Sequence, residues 1–374
     1  MAALTPQVAA QETPTLSGSI SVLLQFDVCE EIRLTELGAL LQANTQRQPR
    51  LKHPAPDYIR FDRPPVVEPL EPLILDSGES LEGQIKYYDY GVVSIILELP
   101  FAGEWDNLIH LASRWVWEVD FATHAAKIVR SKLPRIEPFL IHSKPYDSWL
   151  SEDYFIFHVR ELQHILSAEE FAARYAASIA QVVRGDTIQL SQAERNEVMQ
   201  SSISYYANDL AVVGWNAAFL YDSTAGASTA IQLLEYANSQ LLAFRHYDDL
   251  LSHELDRAYS LLDNGTGFLA RWRLASSATQ LQTTLLDIAE VSERADNAIK
   301  FLSDMFAARF YKLASSRIGV PDYKDLVTEK VQTAQDLYRF MVDQFNHGRA
   351  FVLESAVIVI LLIELVFLFR GKIF

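Results

Sequence analysis

The alternation of apolar and polar positions divides the chain into a strand-rich first part and a helical second part. Residues 19–28, SISVLLQFDV, carry the β-branched and large apolar side chains of a strand. IRLTELGALL follows with helix formers, and the proline-bearing stretch NTQRQPRLKHPAPDY reads as a solvated loop whose Arg47, Arg50 and Lys52 form a basic cluster. Between residues 58 and 101 the runs YIRF, VVEPLEPLIL and GQIKYYDYGVVSIILELPF read as strands, with a tight bend at Gly91, where no side chain obstructs the backbone. Trp105, Leu108, Leu111, Trp115 and Val119 recur at three- and four-residue steps and predict one amphipathic helix from Glu104 to Pro134 and Pro138. Trp115 and Trp117 fall on opposite sides of it, so at most one belongs to a core. YFIFHVREL is a further strand. Ser167 with Glu170 forms a capping box, and Ser191 with Glu194 repeats the signal. SSISYYANDLAVVGWNAAFLYD predicts two or three last strands, broken at Asn208-Asp209 and at Gly214-Trp215-Asn216. Residues 19–222 therefore read as an α+β domain, a mixed or antiparallel sheet with flanking helices, after a disordered lead-in over 1–18.

After Asp222 the strand signals stop. Ala237, Leu241, Phe244, Leu251, Leu255, Ala258 and Leu262 follow a heptad seam, with Asp248 in its one polar place. Asn264-Gly265 breaks the run. Leu281, Leu285, Ile288, Ala295, Ile299, Leu302, Phe306 and Leu313 continue the spacing, so residues 225–318 predict a long, coiled-coil-like helical hairpin. Pro321-Asp322 opens a connecting helix over 322–350, with apolar positions at Leu326, Val331, Ala334, Leu337, Met341 and Phe345. It leads into residues 351–369, FVLESAVIVILLIELVFLF, close to the ~20 residues a helix needs to cross a bilayer. Apolar residues surround this helix on all sides, so the pattern predicts one C-terminal transmembrane helix. Glu354 lies within a turn of its boundary. Glu364 sits about 6 Å from the midpoint at ~1.5 Å per residue, where an acidic group costs about 2–3 kcal/mol. Glu354 can reach the interface, and because the two carboxylates share one broad side, Glu364 reads either as a contact for self-association or another membrane subunit, or as a protonated side chain tolerated by lipid.

Composition narrows the partners. A net charge of −16 repels phosphate backbones, so no nucleic-acid partner is expected. Cys29 is the single cysteine, which excludes an internal disulfide and any multi-cysteine metal site. The amino end carries neither a basic nor an apolar leader region, so the bulk of the chain is expected to stay in the compartment of its synthesis.

No catalytic, cofactor-binding or metal-binding set emerges from motif spacing. Phosphate-cradle, nucleophile-elbow and HExxH patterns do not occur. His158 and His164 straddle a strand end, a poor metal pair. His246 and His253, seven apart with Asp249 between them, read as exposed histidines in an ionic surface. Arg245, Asp248 and Asp249 have i,i+3 and i,i+4 spacing, either as an exposed ionic group or as a helical polar lock fixing register.

The strand pair YYDYG–VV, the segment LEYANSQLLAFRHYDDLLSHELDRAY and the terminal LE…VILLIEL together resemble the required-for-meiotic-nuclear-division family, also called the YagE-type uncharacterised domain. The resemblance covers about residues 60–370 and rests on Glu235, Tyr236, Ala237, Asn238, Gln240, Arg245, Tyr247, Asp248, Glu254, Leu353-Glu354 and Ile363-Glu364. It implies a membrane-anchored, oligomer-forming protein. Mitochondrial members are associated with the inner membrane and with support of translation, whereas this chain reads as a bacterial member. The sequence thus leads to a non-enzymatic scaffold or tether, single-pass in the bacterial inner membrane with its N-terminal domain in the cytoplasm. Its expected partners are itself, the lipid bilayer and another membrane protein. The alternatives are a ligand-sensing or enzymatic head, or an accessory transporter subunit using Glu364.

Overall fold

The computed structural model describes residues 15–41, 64–161, 166–263 and 305–370, with a few helical residues between 279 and 286. In chain order the elements begin with β1 (Leu16–Asp27), β2 (Glu31–Ile32), α1 (Leu34–Leu41), β3 (Val66–Ile74), β4 (Ser80–Tyr87) and β5 (Val92–Gly103). There follow α2 (Trp105–Trp117), α3 (Phe121–Ile136), β6 (Leu140–Ile141), β7 (Ser151–Glu161), α4 (Ala168–Arg184) and α5 (Gln192–Gln200). The last are β8 (Ser202–Ile203), β9 (Leu210–Val213), β10 (Ala217–Tyr221), α6 (Thr224–Asp263), α7 (Met305–Ile318) and α8 (Val320–Arg370). They form two compact units, one of residues up to 243 with 297–321, the other of 244–296 with 322–374.

The first unit is built on an eight-stranded sheet in the order β3-β4-β5-β1-β7-β10-β9-β8. All its pairings are antiparallel except β7 with β10. β2 and β6 pair separately. In β1 the side chains alternate between two kinds of surface. Ile20, Val22, Leu24 and Phe26 enter the main apolar core, which Trp105, Ala112 and Trp115 of α2, Phe121 and Val129 of α3, and Phe171 and Val183 of α4 complete. Ser19, Ser21, Gln25 and Asp27 face the other way and are buried too. The sheet is therefore covered on both faces, and its second face mixes these polar residues with buried Leu23, Ile96 and Ile156. Its β3 edge carries Pro69 and Pro72, which cannot donate to another strand and so blunt it.

The β4–β5 hairpin turns at Gly91, whose φ is +82° and where a Cβ would lie 1.8 Å from the Cys29 carbonyl oxygen. That combination admits only glycine. The capping box of Ser167 and Glu170 opens α4, and the Ser191 hydroxyl accepts from the Glu194 amide at the start of α5. The single helix expected after Glu104 is two. Asp120 breaks the run and caps α3 by accepting from the Thr123 amide at 2.9 Å. Pro134 lies in the last turn of α3 rather than beyond it. Trp115 is wholly buried, while Trp117 is 67% exposed and donates to the Gly185 carbonyl.

The second unit is helical. Phe244, Leu251, Leu255 and Ala258 of α6 are buried, as are Val327, Ala334, Leu337 and Met341 of α8. Phe244, Leu251, Leu255 and Ala258 of the predicted seam are thus buried within the chain. The long hairpin expected over 225–318 is described through α6 and α7, and most of the residues between lie outside the described ones. Gly319, at φ +97°, separates α7 from α8. The Arg47, Arg50 and Lys52 loop and residues 1–14 also lie outside the described residues.

Among the described residues, no helix is long and apolar enough to cross a membrane. The apolar side chains described near the end of α8 span positions 357–366. The observed class is a mixed α+β fold with a large sheet and several helices. The C-terminal transmembrane helix, the tail anchor and the single-pass inner-membrane localisation read from hydropathy are corrected accordingly.

Candidate functional site

The polar face of the sheet concentrates on one row. Register places Lys86 of β4 opposite Ser94 of β5, and Ser94 opposite Gln25 of β1. Over this row lies the first half of α6, where Glu235, Tyr236, Ala237, Asn238, Ser239 and Gln240 are all buried. Six consecutive buried positions mean that this stretch is covered all around. The sheet lies on one side, and Tyr311 of α7 packs its ring 6.0 Å from that of Tyr236.

Glu235 is the hub. Its Oε2 accepts from the Lys86 ammonium at 2.5 Å and its Oε1 from the Ser94 hydroxyl at 2.7 Å. Its backbone carbonyl accepts from Gln25 Nε2 at 2.8 Å. The Tyr88 hydroxyl also reaches the carboxylate. Around the hub, Tyr90 and Ser239 share a hydrogen bond of 2.8 Å, and the Tyr311 hydroxyl donates to Gln240 Oε1. Asn238 and Ser239 turn back onto the carbonyls of Leu234 and Tyr236. Leu242 closes one side against Tyr88 and Val92. Burial pushes the Tyr88 phenol well above its ordinary value, and the Glu235 charge pushes it further. Burial does the same for Tyr90, helped by neighbouring Tyr236. Both are therefore protonated donors at neutral pH.

A Lys–Glu pair with 2% and 1% of the two residues exposed is expensive to desolvate, and the Ser94 and Tyr88 hydrogen bonds to the Glu235 carboxylate offset part of that cost. Chemically the layer is an internally neutral clamp. It fixes the helix to three strands at one register, since sliding α6 by a residue would strand the carboxylate away from Lys86.

Three rows further along the same face, His158 of β7 is buried, with Nε2 3.0 Å from the Asp222 carbonyl oxygen. Burial holds its pKa below the ordinary histidine value, with Arg160 adding to the depression and the Asp222 bond and Glu98 opposing it. A histidine harder to protonate in the folded chain than in the unfolded one supports the fold above the unfolded value. That support declines as pH falls through about 6.5. Urea midpoints measured above and below that pH should differ more in the native chain than in His158→Gln.

Sequence-derived candidates are distributed differently. Asp248 pairs through Oδ1 with Lys330 of α8 at 2.5 Å, and Lys330 also donates to Ser252 Oγ at 2.7 Å. The polar contact at the seam thus joins two helices of the second unit. Asp249 lies beside exposed His253, its carboxylate 3.5 Å away and its carbonyl accepting at 2.9 Å. Arg245 lies on the same helix, α6. Glu364 is exposed on α8, and the Glu354 side chain is outside the described residues, as is His164. No group of three or more metal-ligating side chains occurs among the described residues. The Lys86–Glu235 clamp was not found from sequence. Its signal was the lysine within the strand run GQIKYYDYG.

Fold and clamp together define an α+β protein whose sheet is apolar on one face and carries a buried charged layer on the other. Residues 17–228 match the family described as "Uncharacterized protein MJ0711, N-terminal domain", and the chain belongs to that family. The uncharacterised protein MJ0711 of Methanocaldococcus jannaschii is 18% identical over 198 residues, covering 53% of this chain and 61% of that protein. The chain therefore spans about three fifths of the length of this relative. No solved structure matches it. The family match includes Gln25, Lys86 and Ser94 and ends in the first turn of α6, before Glu235.

Proposed function

We propose that the chain is a non-enzymatic scaffold that assembles with further copies of itself through the end of α8. The observation that carries this reading is the run from Val357 to Val366. Its nine apolar side chains are each 51–58% exposed, with Glu364 the one charged residue among them. Contiguous apolar surface of this kind marks an interaction site. By ordinary side-chain areas the run offers on the order of 900 Å², comparable with the ~800 Å² per partner of a standard interface. Because it is exposed on every side, one neighbouring helix covers only part of it, which favours three or more copies. A second copy presents the same run at the same place, so closed symmetric association follows without any further binding surface. The resemblance to an oligomer-forming family agrees with this reading. The clamp supports it as well, since its charges are spent on internal partners and serve rigidity.

Sedimentation equilibrium of the full chain tests it. The native chain should sediment at a multiple of its own mass, and Leu361→Arg should return it to the monomer. Side by side, Glu364 carboxylates repel, so Glu364→Gln should tighten association. A native chain that is monomeric at micromolar concentration contradicts the proposal.

A further inference from the structure

Within the buried clamp one acceptor has no donor. Gln25 is fully buried, and its Oε1 has no hydrogen-bond partner among the described residues. The amide cannot be turned to cure this. Its Nε2 donates to the Glu235 carbonyl oxygen at 2.8 Å, and a flip would set two oxygens against each other. A buried acceptor left without a donor costs about 1–3 kcal/mol. On the same row, the Lys86 ammonium has three N–H groups and, among the described residues, one acceptor, Glu235 Oε2. The row therefore lacks one donor at Gln25 and has donors to spare at Lys86.

We infer that the row between β1, β4, β5 and α6 is a binding site for internal water, held on Gln25 Oε1. The ligand must donate a hydrogen bond, since Oε1 only accepts. It must be neutral, because the charges of Lys86 and Glu235 already cancel and a further ion would be uncompensated. It must be small, because the layer is closed by Tyr88, Leu242 and the backbone of α6. Water meets all three requirements and, unlike an ammonium ion, can also accept from a spare lysine N–H. The inference is independent of the scaffold reading, whose residues lie on α8.

The test is a crystal structure of the full chain at a resolution that shows ordered solvent, supported by water-to-amide NMR transfer on the isotope-labelled chain. The expected result is one ordered water within about 3.2 Å of Gln25 Oε1, with a long-lived water signal at the Gln25 side-chain amide. Gln25→Met, similar in length and without the amide, should lose that water while the Lys86–Glu235 pair persists. If the variant does not fold, the native chain alone decides. A protein donor on Oε1, an ion there, or no ordered density within reach would each overturn the inference.

Discussion

Truncation of Glu235 to alanine is expected to destabilise the chain by about 3–5 kcal/mol, the usual cost of breaking a buried ion pair. The change leaves the Lys86 ammonium buried without its acceptor and removes the partner of the Ser94 hydroxyl. Lys86→Ala is expected to cost a similar amount for the mirror reason. The double replacement Lys86→Met with Glu235→Leu removes both charges while keeping volume, and should come within about 1 kcal/mol of the native chain or exceed it. The Gln25 bond to the backbone carbonyl of residue 235 survives in that variant. Urea denaturation followed by circular dichroism reads all four chains. Single variants within about 1 kcal/mol of native would mean that the pair is open to bulk solvent and the clamp does not exist.

Trp115→Ala should cost a comparable ~3–5 kcal/mol, for a different reason. The indole is wholly buried and meets Phe121 edge-on at 5.0 Å, so truncation opens a cavity where α2, α3 and the sheet converge. Its Nε1 has no hydrogen-bond partner among the described residues, which leaves packing as the whole of its contribution. Trp117→Ala, two residues on, loses one hydrogen bond to Gly185 and mostly exposed surface, about 1 kcal/mol. A ratio near unity between the two denaturation shifts would contradict the assignment of faces.

These residues show where sequence patterning was informative. The β-branched and apolar content of SISVLLQFDV identified β1. Capping chemistry is local, so Ser167 with Glu170 was legible at sight. Gly91 was legible because only glycine relieves the turn. The break between α2 and α3 was hidden by Val119, which fits the helical period, although Asp120 three residues before Thr123 carried a capping signal. The clamp joins residues 149 apart, and no local pattern pairs Lys86 with Glu235. Periodicity also fails to say what covers an apolar face. Leu251 and Leu255 read as seam positions of a helical hairpin without showing which element covers them, and both are buried within their own chain. Hydropathy at the end of α8 had the same ambiguity, and among the described residues no helix is long and apolar enough to cross a membrane.

The central claim is that the first half of α6 is pinned to the sheet by charge and enclosed on all sides. Native-state hydrogen exchange of its amides tests this most directly. Residues 233–244 should exchange only through global unfolding, and Glu235→Ala should shift them to a faster, local opening while the amides of β1 stay protected. Exchange of those amides in the native chain at the rate of an exposed helix would contradict the account.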